Sequence, residues 1–300
     1  MPELAFAWLE ITGKCQLACE HCYADSGPQG THGAMQQDDW CRVIEQLAVL
    51  GVMTVQFIGG EPMLHQSLPT LVEHALGRGL RVEIFSNLAH VPAGMWPVLE
   101  RDGVSLATSY YSDDPAEHAS ITGRPSHART RTNIAEAVRR GIPLRAGLIG
   151  LRATQRVDAA RAELAALGVH RIGTDRLRQV GRGVRQSGPT TKQLCGRCAS
   201  GVIAVSPDGE VWPCVFSRWL AVGNVLECAL GDILSAPTAR RVRAELEADF
   251  AARDLVTAGQ GQQPCDPQCG PSCGPACNPS CWPTGAGPCT PNGGCQPNYD

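Results

Sequence analysis

From residue 4 to about residue 175 the sequence repeats one theme: a short apolar run, a loop, an amphipathic helical stretch and a glycine. The runs 4–11, 55–58, 80–85, 104–110, 144–151 and 169–172 have the length and the branched or aromatic content of strands. Between them, Asp38 or Asp39 caps a helix with the apolar stripe Trp40, Val43, Ile44, Leu47 and Leu50, stopped by Gly51. Further helices are predicted over 68–76, ended by Gly77 or Gly79, over 95–100, and over 130–140, ended by Gly141. Thr154 caps another that runs through Leu167 to Gly168. Strands alternating with helices imply a parallel α/β sheet with the helices outside. Six such units fall short of the eight that close a full barrel.

The chain has 300 residues, enough for one large α/β domain and a smaller module. A net charge of −3 leaves no electrostatic footprint for nucleic acid. No apolar run approaches a membrane span of roughly 18 residues, and no basic-then-apolar signal opens the chain. A cytoplasmic protein with reduced thiols is therefore expected. Its 15 cysteines then point to metal or cluster ligation rather than disulfides. Cys41 falls in the first helical stripe and reads as a small packing residue, and Cys228 is unassigned.

Three cysteines, Cys15, Cys19 and Cys22, form a C-x3-C-x2-C loop directly after the first strand, followed by Tyr23. Three thiolates on one loop can hold three irons of a [4Fe-4S] cluster and leave the fourth iron open. Zinc with a distant fourth ligand, or simple buried thiols, are the alternatives. The second strand ends in Gly59-Gly60-Glu61-Pro62 about forty residues later. Together the two motifs resemble the radical S-adenosylmethionine (radical SAM) family. The resemblance implies a partial (β/α)6 TIM-like barrel, open rather than closed, with its cofactors at the carboxyl ends of the strands. It also implies that Cys15, Cys19 and Cys22 hold the cluster, and that one electron from it cleaves SAM to methionine and a 5′-deoxyadenosyl radical, which abstracts hydrogen from a substrate. By the same resemblance Gly59, Gly60 and Glu61 bind the SAM amino group and Tyr23 lies against the adenine. Ser86 and Asn87 reach the ribose, Ser109 assists at the carboxylate, and Leu148 and Ile149 contact the adenine. Arg124, Arg131 or Arg145 is left to pair with the SAM carboxylate. Many relatives carry an aspartate where Tyr111 stands, so Tyr110, Tyr111 and Asp113 remain as acid/base candidates beside a reading of them as ordinary loop residues.

Residues 176–194 read as an Arg/Gly/Gln/Thr-rich linker. A module over 195–257 follows, with Cys195-Gly196-Arg197-Cys198 and two apolar runs flanking the hairpin turn Pro207-Asp208-Gly209. The hairpin returns Cys214 beside Cys195 or Cys198, and a charged helix spans 238–253. Cys198, Gly209 and Cys214, with Gly223-Asn224-Val225 after them, resemble the opening of SPASM and twitch extensions, which hold one or two auxiliary [4Fe-4S] clusters. A zinc ribbon is the alternative. In the tail, 258–300, each of Cys265, Cys269, Cys273, Cys277, Cys281, Cys289 and Cys295 has a proline two positions later. Proline at that period forbids a continuous helix or central strand. The first five are auxiliary-cluster candidates, with a metal-scavenging tail as the alternative.

The resemblance implies a radical enzyme acting on a ribosomally made peptide, by crosslinking, epimerisation or oxidation. A small-molecule radical dehydrogenase or epimerase, and an iron–sulfur or metal carrier, are the competing readings. The barrel begins by residue 4, so a separate leader-peptide-binding protein is an expected partner beside a flavodoxin- or ferredoxin-like electron donor.

Overall fold

The computed structural model describes residues 4–186 and 188–259, with side chains described as far as residue 253. The tail cysteines Cys265, Cys269, Cys273, Cys277, Cys281, Cys289 and Cys295 lie outside the described residues. Six parallel strands are present: β1 (Phe6–Thr12), β2 (Thr54–Gly59), β3 (Arg81–Phe85), β4 (Val104–Tyr110), β5 (Leu144–Gly150) and β6 (Arg171–Arg176). Each pairs with the next in chain order. The crossovers carry α1 (Gln37–Val49), α2 (Leu68–Gly77), α3 (Trp96–Leu99), α4 (Pro115–Thr122), α5 (His127–Arg139) and α6 (Val157–Ala166).

Alternation along the strands separates two layers. Leu9, Ile11, Phe57, Ile84, Leu106 and Leu148 face outward onto the helices. There α1 buries Trp40, Val43, Ile44 and Leu47 completely, the stripe the sequence marks out, and each side chain contributes roughly 1.5–3 kcal/mol. Phe6, Trp8 and Ile58 face the concave side. That face also holds a fully buried polar group: Arg145 on β5 grips Glu83 on β3 through two bonds of 2.8 and 2.6 Å, and Gln56 on β2 donates to the same carboxylate.

Element starts differ from expectation for local reasons. Gln36, not Asp38 or Asp39, precedes α1, and its amide donates to the Asp39 carboxylate at 2.9 Å. α6 starts three residues after Thr154 because Gln155 is withdrawn from the helix. Its side chain accepts from Leu151 N and donates to the Tyr111 and Ile149 carbonyls, each at 2.8 Å. The short α4 has no strong apolar period. It exists because Asp114 caps it, accepting from Glu117 N at 2.7 Å, with Pro115 at the first position.

The predicted hairpin forms: β7 (Val202–Val205) and β8 (Glu210–Trp212) are antiparallel, and β9 (Gly223–Asn224) adds to β8. The hairpin does not stand apart from the barrel. β7 pairs in parallel with β1, Phe6 to Val202 through Leu9 to Val205, giving one nine-stranded sheet in the order β6-β5-β4-β3-β2-β1-β7-β8-β9. Two further helices follow, α7 (Leu230–Ser235) and α8 (Pro237–Gly259). α8 lays Val242, Leu246 and Phe250 into the concave-side core beside Cys198 and Cys214.

Candidate active site

The ends of five strands converge on one cavity. Ile58 and Gly59 come from β2, Phe85 from β3, Ser109 and Tyr111 from the end of β4, Ile149 from β5 and Asp175 from β6. That convergence is the curvature of a partial barrel, read at its carboxyl mouth. Cys15, Cys19, Cys22 and Tyr23 form another wall of the same cavity, and Phe216 closes it from the C-terminal module.

The cysteine loop is spliced to the end of β2 by backbone. Gly60 N donates to Thr12 O at 2.7 Å and Glu61 N to Lys14 O at 2.9 Å. A Cβ on Gly60 would sit 2.3 Å from Lys14 O, and one on Gly59 2.3 Å from Thr12 O, so only glycine admits this approach. Glu61 is fully buried behind the glycines. Its carboxylate accepts from Met63 N at 3.0 Å and from Asn87 N at 2.8 Å, fastening the end of β2 to the end of β3. Burial pushes its carboxyl up to about 7, against the pull of those donors. Gly59 and Gly60 therefore present backbone to the cavity while Glu61 holds the wall in place.

The thiols are free, and the sulfurs already receive donors. Leu17 N reaches Cys15 Sγ at 3.4 Å, Asn87 Nδ2 reaches it at 3.6 Å, and Ser26 N reaches Cys22 Sγ at 3.4 Å. Burial pushes Cys15 and Cys19 up to about 12, reinforced by the Glu61 carboxylate at Cys15 and by the neighbouring thiols at Cys19, so iron must displace their protons. Among the described residues no three His, Cys, Asp or Glu side chains converge on a single ion. Three thiols on one wall of a cavity suit a [4Fe-4S] cluster, in which each takes a different iron.

Tyr23, Gly59, Gly60, Asn87, Ser109 and Ile149 line the cavity with the cysteines. Asn87 is engaged with Cys15 and with Gln16, whose Nε2 donates to it at 3.0 Å. Ser86 lies buried behind the wall, where its hydroxyl accepts from Leu88 N at 3.0 Å, and Leu148 points outward into the helix layer. Of the acid/base candidates, Tyr111 is on the cavity wall, its ring 5.1 Å from that of His21. Tyr110 faces the other way, bonded to His127 at 2.8 Å and Glu163 at 2.6 Å. Asp113 is paired at the surface with Arg156. Neither Arg124, Arg131 nor Arg145 lines the cavity; Arg131 binds Glu163 at 2.8 Å and Arg145 binds Glu83.

The charged groups on the cavity wall come from a stretch read as strand end and linker: Asp175, Arg176, Arg178 and Arg182. Asp175 accepts from Arg176 N at 2.7 Å and from Arg178 at 3.3 Å, and burial pushes its carboxyl from 3.8 up to about 6. Between those values the folded chain holds a proton that the unfolded chain has lost, so this group lowers stability as pH rises across the window. Asp175→Asn is expected to remove that slope, worth roughly 3 kcal/mol above it. Paired urea titrations of wild type and variant at several pH values from 3.8 to 6 would check this.

In the C-terminal module Cys198 and Cys214 lie with sulfurs 3.0 Å apart, and Cys195 is hydrogen-bonded to Cys198. Cys41 is partly buried against the α1 core and Cys228 is exposed.

The radical SAM superfamily model matches residues 9–159, and an iron–sulfur cluster-binding domain model (SPASM) matches 185–274. This chain belongs to the radical SAM superfamily, with a SPASM iron–sulfur module after the barrel. Its cofactor set is accordingly a [4Fe-4S] cluster with S-adenosylmethionine, plus auxiliary iron–sulfur in the module. The chain is 31% identical over 203 residues to a PqqA peptide cyclase of Xanthomonas campestris pv. campestris, covering 66% of this chain and 53% of that one. The chain thus matches about half the length of that relative. Against a PqqA peptide cyclase of Granulibacter bethesdensis it is 24% identical over 279 residues, covering 78% and 75%. The fold resembles Streptococcus suis SuiB bound to S-adenosylmethionine (TM-score 0.66, 15% identity, 78% of this chain and 66% of that one). It also resembles anSMEcpe with bound AdoMet (TM-score 0.61, 13% identity, 80% and 79%). Among the described residues no helix is long and apolar enough to cross a membrane.

Proposed function

We propose that this chain is a radical SAM enzyme that modifies a ribosomally made peptide. One observation carries the reading: Phe216 of the SPASM module lines the cavity that gathers Cys15, Cys19 and Cys22, so a substrate held there also meets the module. The likeness to PqqA peptide cyclases over two thirds of the chain supports a peptide as that substrate. Cys195, Cys198 and Cys214 are the auxiliary ligands closest at hand.

When bound, the cluster and S-adenosylmethionine supply one-electron hydrogen-abstraction chemistry. The chain's own residues do the rest. Leu17 N and Asn87 donate to Cys15 Sγ and Ser26 N to Cys22 Sγ, fixing two of the thiolates that would hold the cluster. Gly59 and Gly60 offer backbone groups to the amino acid moiety, and Tyr23 and Ile149 offer apolar surface to the adenine. Tyr23 packs edge-on against Phe216, with ring centroids 5.0 Å apart, and this contact excludes water from the cluster side. A cytosolic flavodoxin- or ferredoxin-like protein supplies the electron.

The test is anaerobic incubation of reconstituted chain with S-adenosylmethionine, a reductant and the short peptides encoded beside its gene. A 5′-deoxyadenosine yield that rises with one peptide, together with a mass change in that peptide, is the expected result. Turnover that no peptide stimulates, but a small metabolite does, would overturn the peptide reading.

A further inference from the structure

The segment after β6 does more than connect two parts of the chain. Its turn Gly181–Gly183 lies directly against the cysteine loop. Gly181 has φ +56°, and a Cβ there would fall 2.4 Å from Tyr23 O and 2.5 Å from Cys22 O. No other residue permits so close an approach. Arg182 then makes four contacts with the loop. Its amide donates to Cys22 O at 3.0 Å, Nε to Cys19 O at 2.9 Å, Nη2 to Ser26 O at 2.6 Å and Nη1 to the Asp25 carboxylate at 2.7 Å.

These contacts have a consistent direction. Asp25 and Ser26 flank the amide whose N–H points at Cys22 Sγ, and Arg182 holds both residues. Asp25 is itself in the left-handed region, at φ 53°, a conformation that needs holding. The Asp25 side chain is largely exposed, so that ion pair adds little by itself. The bonds to the carbonyls matter more, because a guanidinium shared among carbonyls is a charge-assisted donor set with fixed geometry. Arg182 also borders the cavity, with its Nε on the Cys19 carbonyl.

We propose that Arg182 is a positioning residue for the radical cluster: it locks the Cys19–Gly27 half of the cysteine loop, aims the Ser26 N–H at the Cys22 sulfur, and raises the cluster's reduction potential. The inference rests on the reading that Cys15, Cys19 and Cys22 hold that cluster. Donors to the sulfurs and a nearby positive charge both favour the reduced, more negative cluster. Strap and cluster are therefore one unit, although the strap belongs to the approach to the SPASM module.

Two readouts test the proposal. In the metal-free chain, hydrogen exchange of the peptide spanning residues 19–27 is compared among wild type, R182Q, R182K and G181A. Exchange about tenfold faster or more is expected in R182Q and G181A, as for loss of a charge-assisted bond. R182K, which keeps the charge but not the fork, should fall between. In the iron-loaded chain the midpoint potential of the radical cluster, followed by its electron paramagnetic resonance signal, should fall in R182Q and recover in part in R182K. Wild-type exchange and potential in R182Q would overturn the proposal. Faster exchange with an unmoved potential would overturn its redox half. A wild-type chain with no iron at the three cysteines would overturn the reading beneath that half, and the exchange rates would still decide whether Arg182 locks the loop.

Discussion

An anaerobically reconstituted Cys15/Cys19/Cys22→Ala variant is expected to hold about four fewer irons per chain than wild type and to form no 5′-deoxyadenosine. The three thiols sit on one wall of the cavity, and among the described residues no other thiol lines it; Asp175 and His21 are the other carboxylate and imidazole there. Iron and labile sulfide retained by the variant would then belong to the SPASM module. Because the two sites draw on separate cysteines, loss of both clusters together would mean that the module assembles only on a loaded barrel. Retention of all the iron would remove the cysteine loop as its ligand set. Iron analysis beside a 5′-deoxyadenosine assay separates these results.

Glu83→Ala is expected to destabilise the chain by about 3–5 kcal/mol, the cost of leaving one member of a buried ion pair behind. Glu83 is completely buried, and the Arg145 side chain is only 9% exposed. Removing the carboxylate takes away both bonds from the Arg145 guanidinium and the bond from the Gln56 amide on the concave face of the sheet. Replacing both charges, as Glu83→Leu with Arg145→Met, removes the buried guanidinium together with its counter-charge and is expected to recover most of the loss. Urea midpoints of the two single variants and the double variant check this. A double variant no more stable than Glu83→Ala would show that the pair is needed for more than mutual neutralisation.

The six β-α units and the place of the cofactor site were legible because both depend on local pattern. The α1 stripe repeats at helical spacing, and Gly59-Gly60 marks a close backbone approach wherever it occurs in the barrel. What failed to show was direction and distant pairing. Ile149 faces the cavity and Leu148 does not, a distinction that period-two alternation along β5 carries once Arg145 is known to point inward. The 3-10 turn that begins at Pro62 turns Glu61 away from the cavity, which the motif alone does not specify. Residues 176–194 have the polar, glycine-rich composition of a solvated linker. The same composition suits a strap whose arginines bind the carbonyls of another loop, and only the fold distinguishes the two. Val202–Val205, likewise, is a short apolar run whose partner lies far away in sequence, and its hairpin turn predicts β8 but not β1.

The pairing of β7 with β1 has a consequence for how the protein is made. β1 leaves the ribosome well before its second neighbour, which follows it by about two hundred residues. Until then one edge of an apolar, fully buried strand stands open, with Phe6, Trp8 and Leu9 along it. Such an edge recruits other chains. That edge of β1, the strand that leads into the cysteine loop, is covered only when β7 has been made. A nascent chain arrested before Val202 should therefore be insoluble, however complete its six β-α units.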